Sequence, residues 1–421
     1  MSFGQRLQEI RHGFERPFWV ANSTEIFERL SYYGAFASLG LYLHEKLNFS
    51  TQQTGTLTGW FGGMVWFLAI FGGAVADKIG FRRALSTAYL ILAAAYFLIG
   101  SIGDSSLAPI RNAVPLGLFV GVILILPALG ISLVKPCVVG TTARSSKDTV
   151  RQVGYSIYYT MVNIGSLAGP YIASWAHAHL GVEKVFRVCA FSVFAMFFFV
   201  LFFFREPRKA GDVPPSLSRV AGNFLTILWP PRFLIFLLIF TGYWIVFWQQ
   251  YTTLPGYITS YVNAHKGVAE LILVTDPLVV IFLTIAVNYL TRNMAPLHAV
   301  ILGTVITSLS WLILAFWPTV PGTVASLAVL ALGEIIQQPP YYSYISKLAP
   351  PGQQGIYMGF AFLPLGLGSI FGGMLGGYLV HRYAEILHQP QQVWYWVTAV
   401  GLVTAALLLA YDRAIRSKDM A

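Results

Sequence analysis

Six ionisable side chains stand in otherwise apolar stretches: Glu25, Glu28, Arg29, Lys135, Asp276 and Glu334. An ionised group at mid-bilayer is costly, so such residues face a bundle interior, pair with one another and mark ion or solute paths. Glu25, Glu28, Arg29, Tyr32, Tyr33 and Phe36 follow an i, i+3, i+4, i+7, i+8, i+11 spacing and share one helix face. The chemistry open to such a set is proton exchange. Burial disfavours an ionised carboxylate and a neighbouring cation favours it, so moving the cation nearer or farther switches protonation. A purely structural ion-pair knot is the alternative reading. On another helix Glu334, Gln337, Gln338, Tyr341 and Tyr342 share a face that suits hydrogen bonding to a polar solute. A tyrosine in such a stretch is more often packing than ligand.

These groups need a membrane-spanning frame. The 421 residues are 56% hydrophobic and only 10% charged, with a mean hydropathy of +0.65. A soluble domain carries about 25% charged residues, whereas a helical span needs roughly 20 apolar ones. Twelve such stretches are read at 17–42, 53–76, 84–103, 113–140, 152–176, 185–204, 233–262, 268–291, 296–317, 322–347, 355–380 and 392–412. The expected fold is an all-α membrane protein with twelve transmembrane helices in two six-helix bundles. The bundles are 1–204 and 233–421, joined by a polar cytoplasmic linker at 205–232 that holds Pro207, Gly211, Pro214 and Pro215. Span count and linker position carry this division, since no strong repeat relates the halves. Paired halves with a solute site between them near the midplane recur in secondary transporters.

Nineteen of the 27 Lys and Arg residues fall on the side of the two termini. The positive-inside bias assigns that side to the cytoplasm. The protein is therefore expected in an inner or plasma membrane with both termini cytoplasmic. Its formal charge of +10 follows from this orientation, and nucleic acid is not an expected partner. The polar opening, residues 1–15, gives no cleavable signal peptide. Cys137 and Cys189 lie in apolar segments and read as buried small hydrophobes, with neither a disulfide framework nor a metal site.

Between the second and third spans, Gly73-Ala-Val-Ala-Asp77-Lys78-Ile-Gly80-Phe-Arg82-Arg83 resembles the signature loop of the major facilitator superfamily. An ordinary basic turn is the alternative. The resemblance implies a gating latch, in which Gly73 allows close helix approach and Asp77, Arg82 and Arg83 supply pairing charges. Glu25-Ile-Phe-Glu28-Arg29-Leu-Ser-Tyr32-Tyr33-Gly34 resembles the ExxER motif of the proton-dependent oligopeptide transporter family. Lys135-Pro136, the run from Tyr155 through Tyr158 and Asn163 to Ser166, Gly333-Glu334 to Pro339, and Met358-Gly359 resemble its helix-four, -five, -ten and -eleven patterns. The resemblance runs from residue 25 to about 377. It implies proton coupling at Glu25 and Glu28 with Arg29 and Lys135 as cationic partners. The candidate solute contacts are then Tyr32, Tyr33 and Phe36 on helix one, Lys135 on helix four, Tyr155, Tyr158 and Asn163 on helix five, Trp248 and Gln249 on helix seven, Asp276 on helix eight, and Glu334, Gln337 and Gln338 on helix ten. In the family the acid at Glu334 holds a peptide's amino terminus.

Four departures bear on the solute. The family's second helix-one arginine, which joins the helix-four lysine in holding a peptide carboxylate, is Phe36. Its helix-seven acid is Trp248, its helix-eight Asn-Pro is Asp276-Pro277, and its helix-eleven tryptophan is Ala361. Four central acids then face two bases, where the family pattern sets four against three. Asp276 either replaces the missing proton-carrying acid, joins Glu334 in facing an amine, or lies idle near a helix end in water. The leading expectation is a proton-coupled transporter, a monomer in the lipid bilayer, whose small polar organic solute bears an amine in preference to a free carboxylate. A di- or tripeptide symporter is the alternative, with a non-transporting nutrient sensor and a multidrug efflux pump as readings of another kind. No metal-ligand cluster or nucleotide-binding loop is read. Neither enzymatic nor ATP-driven function is expected, nor any cofactor beyond the proton as coupling ion.

Overall fold

Apolar length and helix-favouring composition produce twelve long helices in the computed structural model, which describes residues 12–207, 231–262, 265–349 and 354–419. In chain order they are α1 (Arg16–Leu41), α2 (Thr51–Ile79), α3 (Phe81–Ser101), α4 (Ile125–Arg144), α5 (Arg151–Leu180) and α6 (Val182–Phe203). There follow α7 (Pro231–Phe247), α8 (Thr275–Thr291), α9 (Pro296–Phe316), α10 (Val320–Leu348), α11 (Leu363–Leu379) and α12 (Gln392–Asp419). Among the described residues the only extended pairing is a bridge between Phe14 and Ser146. Most of the linker expected at 205–232 lies outside the described residues.

Nine segments among the described residues are long and apolar enough to cross a bilayer, and the bent helix α2 makes a tenth. The remaining two, α1 and α5, are 26 and 30 residues long. At about 1.5 Å per residue both exceed a hydrocarbon core of about 30 Å. Their lower hydropathy reflects the polar and charged faces that the motifs occupy. Large apolar side chains face outward, among them Phe191, Phe202 and Ile285 at 75, 70 and 85% exposure. In water such a surface would be an aggregation liability; against lipid it is the expected exterior.

Four spans read as continuous are interrupted. The fourth begins with a separate short helix, Leu116–Ile123, and the eighth with Val268–Ile272. The eleventh begins with Gln354–Phe360, and the seventh continues past Phe247 as the short helices Gln249–Thr252 and Leu254–Tyr257. Pro127, Pro255, Pro277 and Pro364 each follow a break within four residues. A proline has no N–H to donate one turn back, and its ring crowds that carbonyl. α1, the short helix Leu254–Tyr257 and α11 run into π-helical turns at Tyr42–Lys46, Ile258–Val262 and Val380–Ile386. All three turns contribute to the lining of one cavity of about 60 Å³, through His44, Tyr261 and Glu385.

The chain forms two compact units: residues 1–35 with 68–221, and residues 36–67 with 222–421. In the first, α3 packs on α6 and α4. In the second, α9 packs on α10 and α12, and the first part of α2 lies along α11. That last seam is made of small residues. Gly55, Gly59 and Gly63 face Gly366, Ser369, Gly373 and Gly377, with backbone against backbone. Such residues let helices approach where larger side chains would hold them apart.

Candidate functional site

The first cluster sits on α1, inside the first unit. Gly165 and Gly169 of α5 bring the two backbones together: a Cβ at either would press on the carbonyl oxygen of Ile26 or Leu30. Glu25, Glu28 and Arg29 are buried by this packing. Arg29 Nε donates to Glu28 Oε2 at 2.5 Å and lies 3.5 Å from Glu25 Oε1. The Tyr158 hydroxyl donates to Glu25 Oε1 at 3.4 Å. Half-buried Lys135 of α4 is within electrostatic reach of both acids and of Arg29. The Arg29 guanidinium lies over the Tyr32 ring at 5.2 Å, and Tyr33 meets Tyr32 edge-on at 5.0 Å. Two acids and two cations thus share one buried site, so that adding a proton changes the net charge of a set with little water to compensate it. Tyr155 and Asn163 stand apart from the set. Tyr155 is exposed, and the Asn163 amide donates to the Tyr159 carbonyl of its own helix at 2.8 Å.

The second cluster sits within the second unit. Val280 of α8 packs on Ala331 and Ile335 of α10. That contact sets Asp276, one turn before Val280, against Glu334. Gln250 lies beside Asp276. Gln337 is fully buried and faces Tyr243, while Gln338 is half-buried. Phe36 completes an aromatic wall. Its ring stacks on Tyr251 at 4.9 Å, meets Phe61 at 5.3 Å and lies 5.7 Å from Trp248. The Trp248 indole N–H donates to the Leu365 carbonyl at 3.0 Å. Gln249 spends its amide inside the protein, donating to the carbonyls of Ile245 and Gly372 at 2.8 and 2.9 Å and accepting from Thr253. It ties α7 to α11.

The glycine-rich segment of the first unit is also held. Asp77 Oδ1 pairs with Arg144 Nη2 at 3.1 Å, and the Arg144 guanidinium lies 4.3 Å from the Phe81 ring centroid. Gly73 lies beside Pro136. Gly80 turns the chain at φ 89°, a conformation that favours glycine. The Glu206 carboxylate then accepts the backbone N–H groups of Phe81 and Arg82, each at 2.8 Å, and so caps α3. The Arg82 side chain donates to the Leu201 carbonyl at 2.7 Å, and Arg83 is exposed.

Four groups escaped the sequence reading: Arg144, Glu206, Gln250 and Glu270. Glu270 is fully buried and accepts the Ser38 hydroxyl at 3.0 Å. Its one sequence signal was an acid inside the apolar run 268–291. Cys137 and Cys189 are buried thiols without a disulfide. Among the described residues no three or more of His, Cys, Asp and Glu gather as a metal site.

An all-helical, polytopic frame with buried charges on its spans defines a membrane transport protein. The family model of the Major Facilitator Superfamily matches residues 23–362 and 239–419. The chain is 25% identical to the multidrug resistance protein MdtH of Aeromonas salmonicida over 86% of its own length and 89% of that protein's. It is 29% identical to the dipeptide and tripeptide permease B of Aliivibrio fischeri over 51% of its length and 41% of the permease. A crystal structure of a POT family transporter in complex with 5-aminolevulinic acid superposes with a TM-score of 0.77 at 16% identity, covering 95% of this chain and 96% of that one. The chain belongs to the major facilitator superfamily. It is an integral membrane transporter, and the family and fold are not those of enzymes.

Proposed function

We propose that this transporter couples proton movement to the passage of a small polar organic solute and prefers amine-bearing solutes to free carboxylates. Glu25 and Glu28 exchange the proton, Arg29 and Lys135 set their charge balance, and Asp276 takes a second proton or faces the solute. Gly73, Asp77, Arg82 and Arg83 gate access. The halves 1–204 and 233–421 alternate about the linker 205–232, in a monomer with both termini cytoplasmic in an inner or plasma membrane. No cofactor, metal or nucleic acid takes part in this reading.

The single observation that carries the preference is the contact of Asp276 with Glu334. Adjacent carboxylates repel unless a proton or a cation joins them. An ammonium group supplies that charge. A carboxylate would lack the bidentate grip that an arginine at position 36 would give. Affinities for a matched series (amine only, zwitterion, acid only) test the reading. The amine-only compound should bind tightest, and Asp276→Asn should weaken it about ten- to hundredfold, the range of a charge-assisted hydrogen bond. Tightest binding of the acid-only compound, unchanged by Asp276→Asn, would end the proposal. A zwitterion preference that survives Asp276→Asn and disappears in Lys135→Ala would return the chain to peptide transport.

Multidrug efflux is the second reading, favoured by the same aromatic wall and by the similarity to MdtH along most of the chain. Proton-driven expulsion of a lipophilic cation, with no accumulation of small polar amines, is the result that would select it.

A further inference from the structure

A cavity of about 790 Å³ opens in the first unit where α3 begins and α6 ends. Exposed Lys78, Arg82 and Arg83 line it, with the hydroxyls of Ser86 and Thr87. Three cations are gathered there against one acid, Glu206. That carboxylate already accepts two backbone N–H groups at 2.8 Å as the cap of α3. The mouth is therefore electropositive, with hydroxyl donors beside it, and complements a phosphate group.

Its other wall is apolar. Ile79 and Leu201 are exposed at the mouth, and from there Phe202, Phe198, Phe194 and Phe191 run along one exposed face of α6. Phe194 and Phe198 meet at 5.1 Å, and Phe198 stacks on Phe202 at 6.3 Å. A soluble phosphate has no use for this lane. A molecule with a phosphodiester head and hydrocarbon tails uses both parts at once. We infer that this cavity is a binding site for an anionic phospholipid, whose head lies among Lys78, Arg83 and Ser86 and whose acyl chain follows the phenylalanine face of α6. Basic recesses between spans at a membrane surface suit such headgroups in general. The inference stands apart from the solute reading and survives its failure.

The test uses the full purified chain, exchanged into vesicles of phosphatidylcholine alone or with phosphatidylglycerol added, and native mass spectrometry of the lipid it retains. Wild-type protein should retain phosphatidylglycerol over phosphatidylcholine. The double variant Lys78→Gln/Arg83→Gln should lose about tenfold or more of that preference, given the worth of a basic residue near an anionic surface. Phe198→Ser should weaken retention of both lipids without abolishing the charge preference. Melting curves in phosphatidylcholine establish that each variant is folded. Equal retention of the two lipids by wild type overturns the assignment, as does a preference undiminished in the double variant. Inorganic phosphate alone, reproducing the full stabilisation by phosphatidylglycerol, would overturn the lipid source.

Discussion

Glu28→Gln is expected to carry solute across the membrane and fail to concentrate it. Glu28 is buried and bound to Arg29 at 2.5 Å, and glutamine fills the same space while still accepting from the guanidinium. What it lacks is a proton to exchange. Each unit of pH difference supplies about 1.4 kcal/mol per proton, tenfold in accumulation, and only a titrating group can couple it. Counterflow, in which labelled solute exchanges without a gradient, should therefore persist while accumulation collapses to equilibration. Arg29 is then left with one carboxylate, Glu25 at 3.5 Å, and removing a partner from a buried pair is costly when nothing replaces it. The retained amide oxygen limits that cost, which is why glutamine is the informative substitution. Proton-driven accumulation at the wild-type level would remove Glu28 from the coupling role.

Gly59→Val should abolish most transport by a different route. A Cβ at Gly59 would lie 3.0 Å from the Gly373 Cα and press on the Ser369 carbonyl oxygen. These are backbone atoms of α11 and cannot rotate away. Overpacking in a fitted interface costs about 1–3 kcal/mol, enough to depopulate the joined state of α2 and α11 by roughly five- to 150-fold. A carrier that must pass through that state in each cycle loses rate in proportion. Gly59→Ala should fall between wild type and valine. Solute binding, read as a thermal shift, separates a blocked cycle from an unfolded protein. Full transport by the valine variant would show that the cycle never needs this seam closed.

The fold class was legible because it rests on local properties, namely apolar length, charge scarcity and the periodic acids and tyrosines of α1. The interruptions of α4, α7, α8 and α11 also had a local signal in Pro127, Pro255, Pro277 and Pro364. It was masked by prolines that helices absorb, such as Pro136, Pro170, Pro339 and Pro340. The rest was non-local. Glu270 sits in the apolar run 268–291, and its hydrogen-bond partner, the Ser38 hydroxyl, comes from α1, far away in sequence. Gln249 and Gln250 are adjacent, yet one helical step of about 100° sends the first to α11 and the second to Asp276. Glu206 read as the start of a linker until the turn at Gly80 presented two N–H groups to it. A motif names the residue types, but side-chain direction and the opposing helix decide which of them meet.

The π-helical turns that follow α1, Leu254–Tyr257 and α11 bear on how relatives should be aligned. A π-turn accommodates one residue more than the α-turn it interrupts and leaves the rest of the helix in step. Each is therefore a place where an insertion relative to an α-helical relative would leave the preceding helix in register. Relatives that are α-helical there should align with a one-residue gap within Tyr42–Lys46, Ile258–Val262 or Val380–Ile386. Closing those gaps would misassign His44, Tyr261 and Glu385, the residues through which the three turns contribute to one cavity.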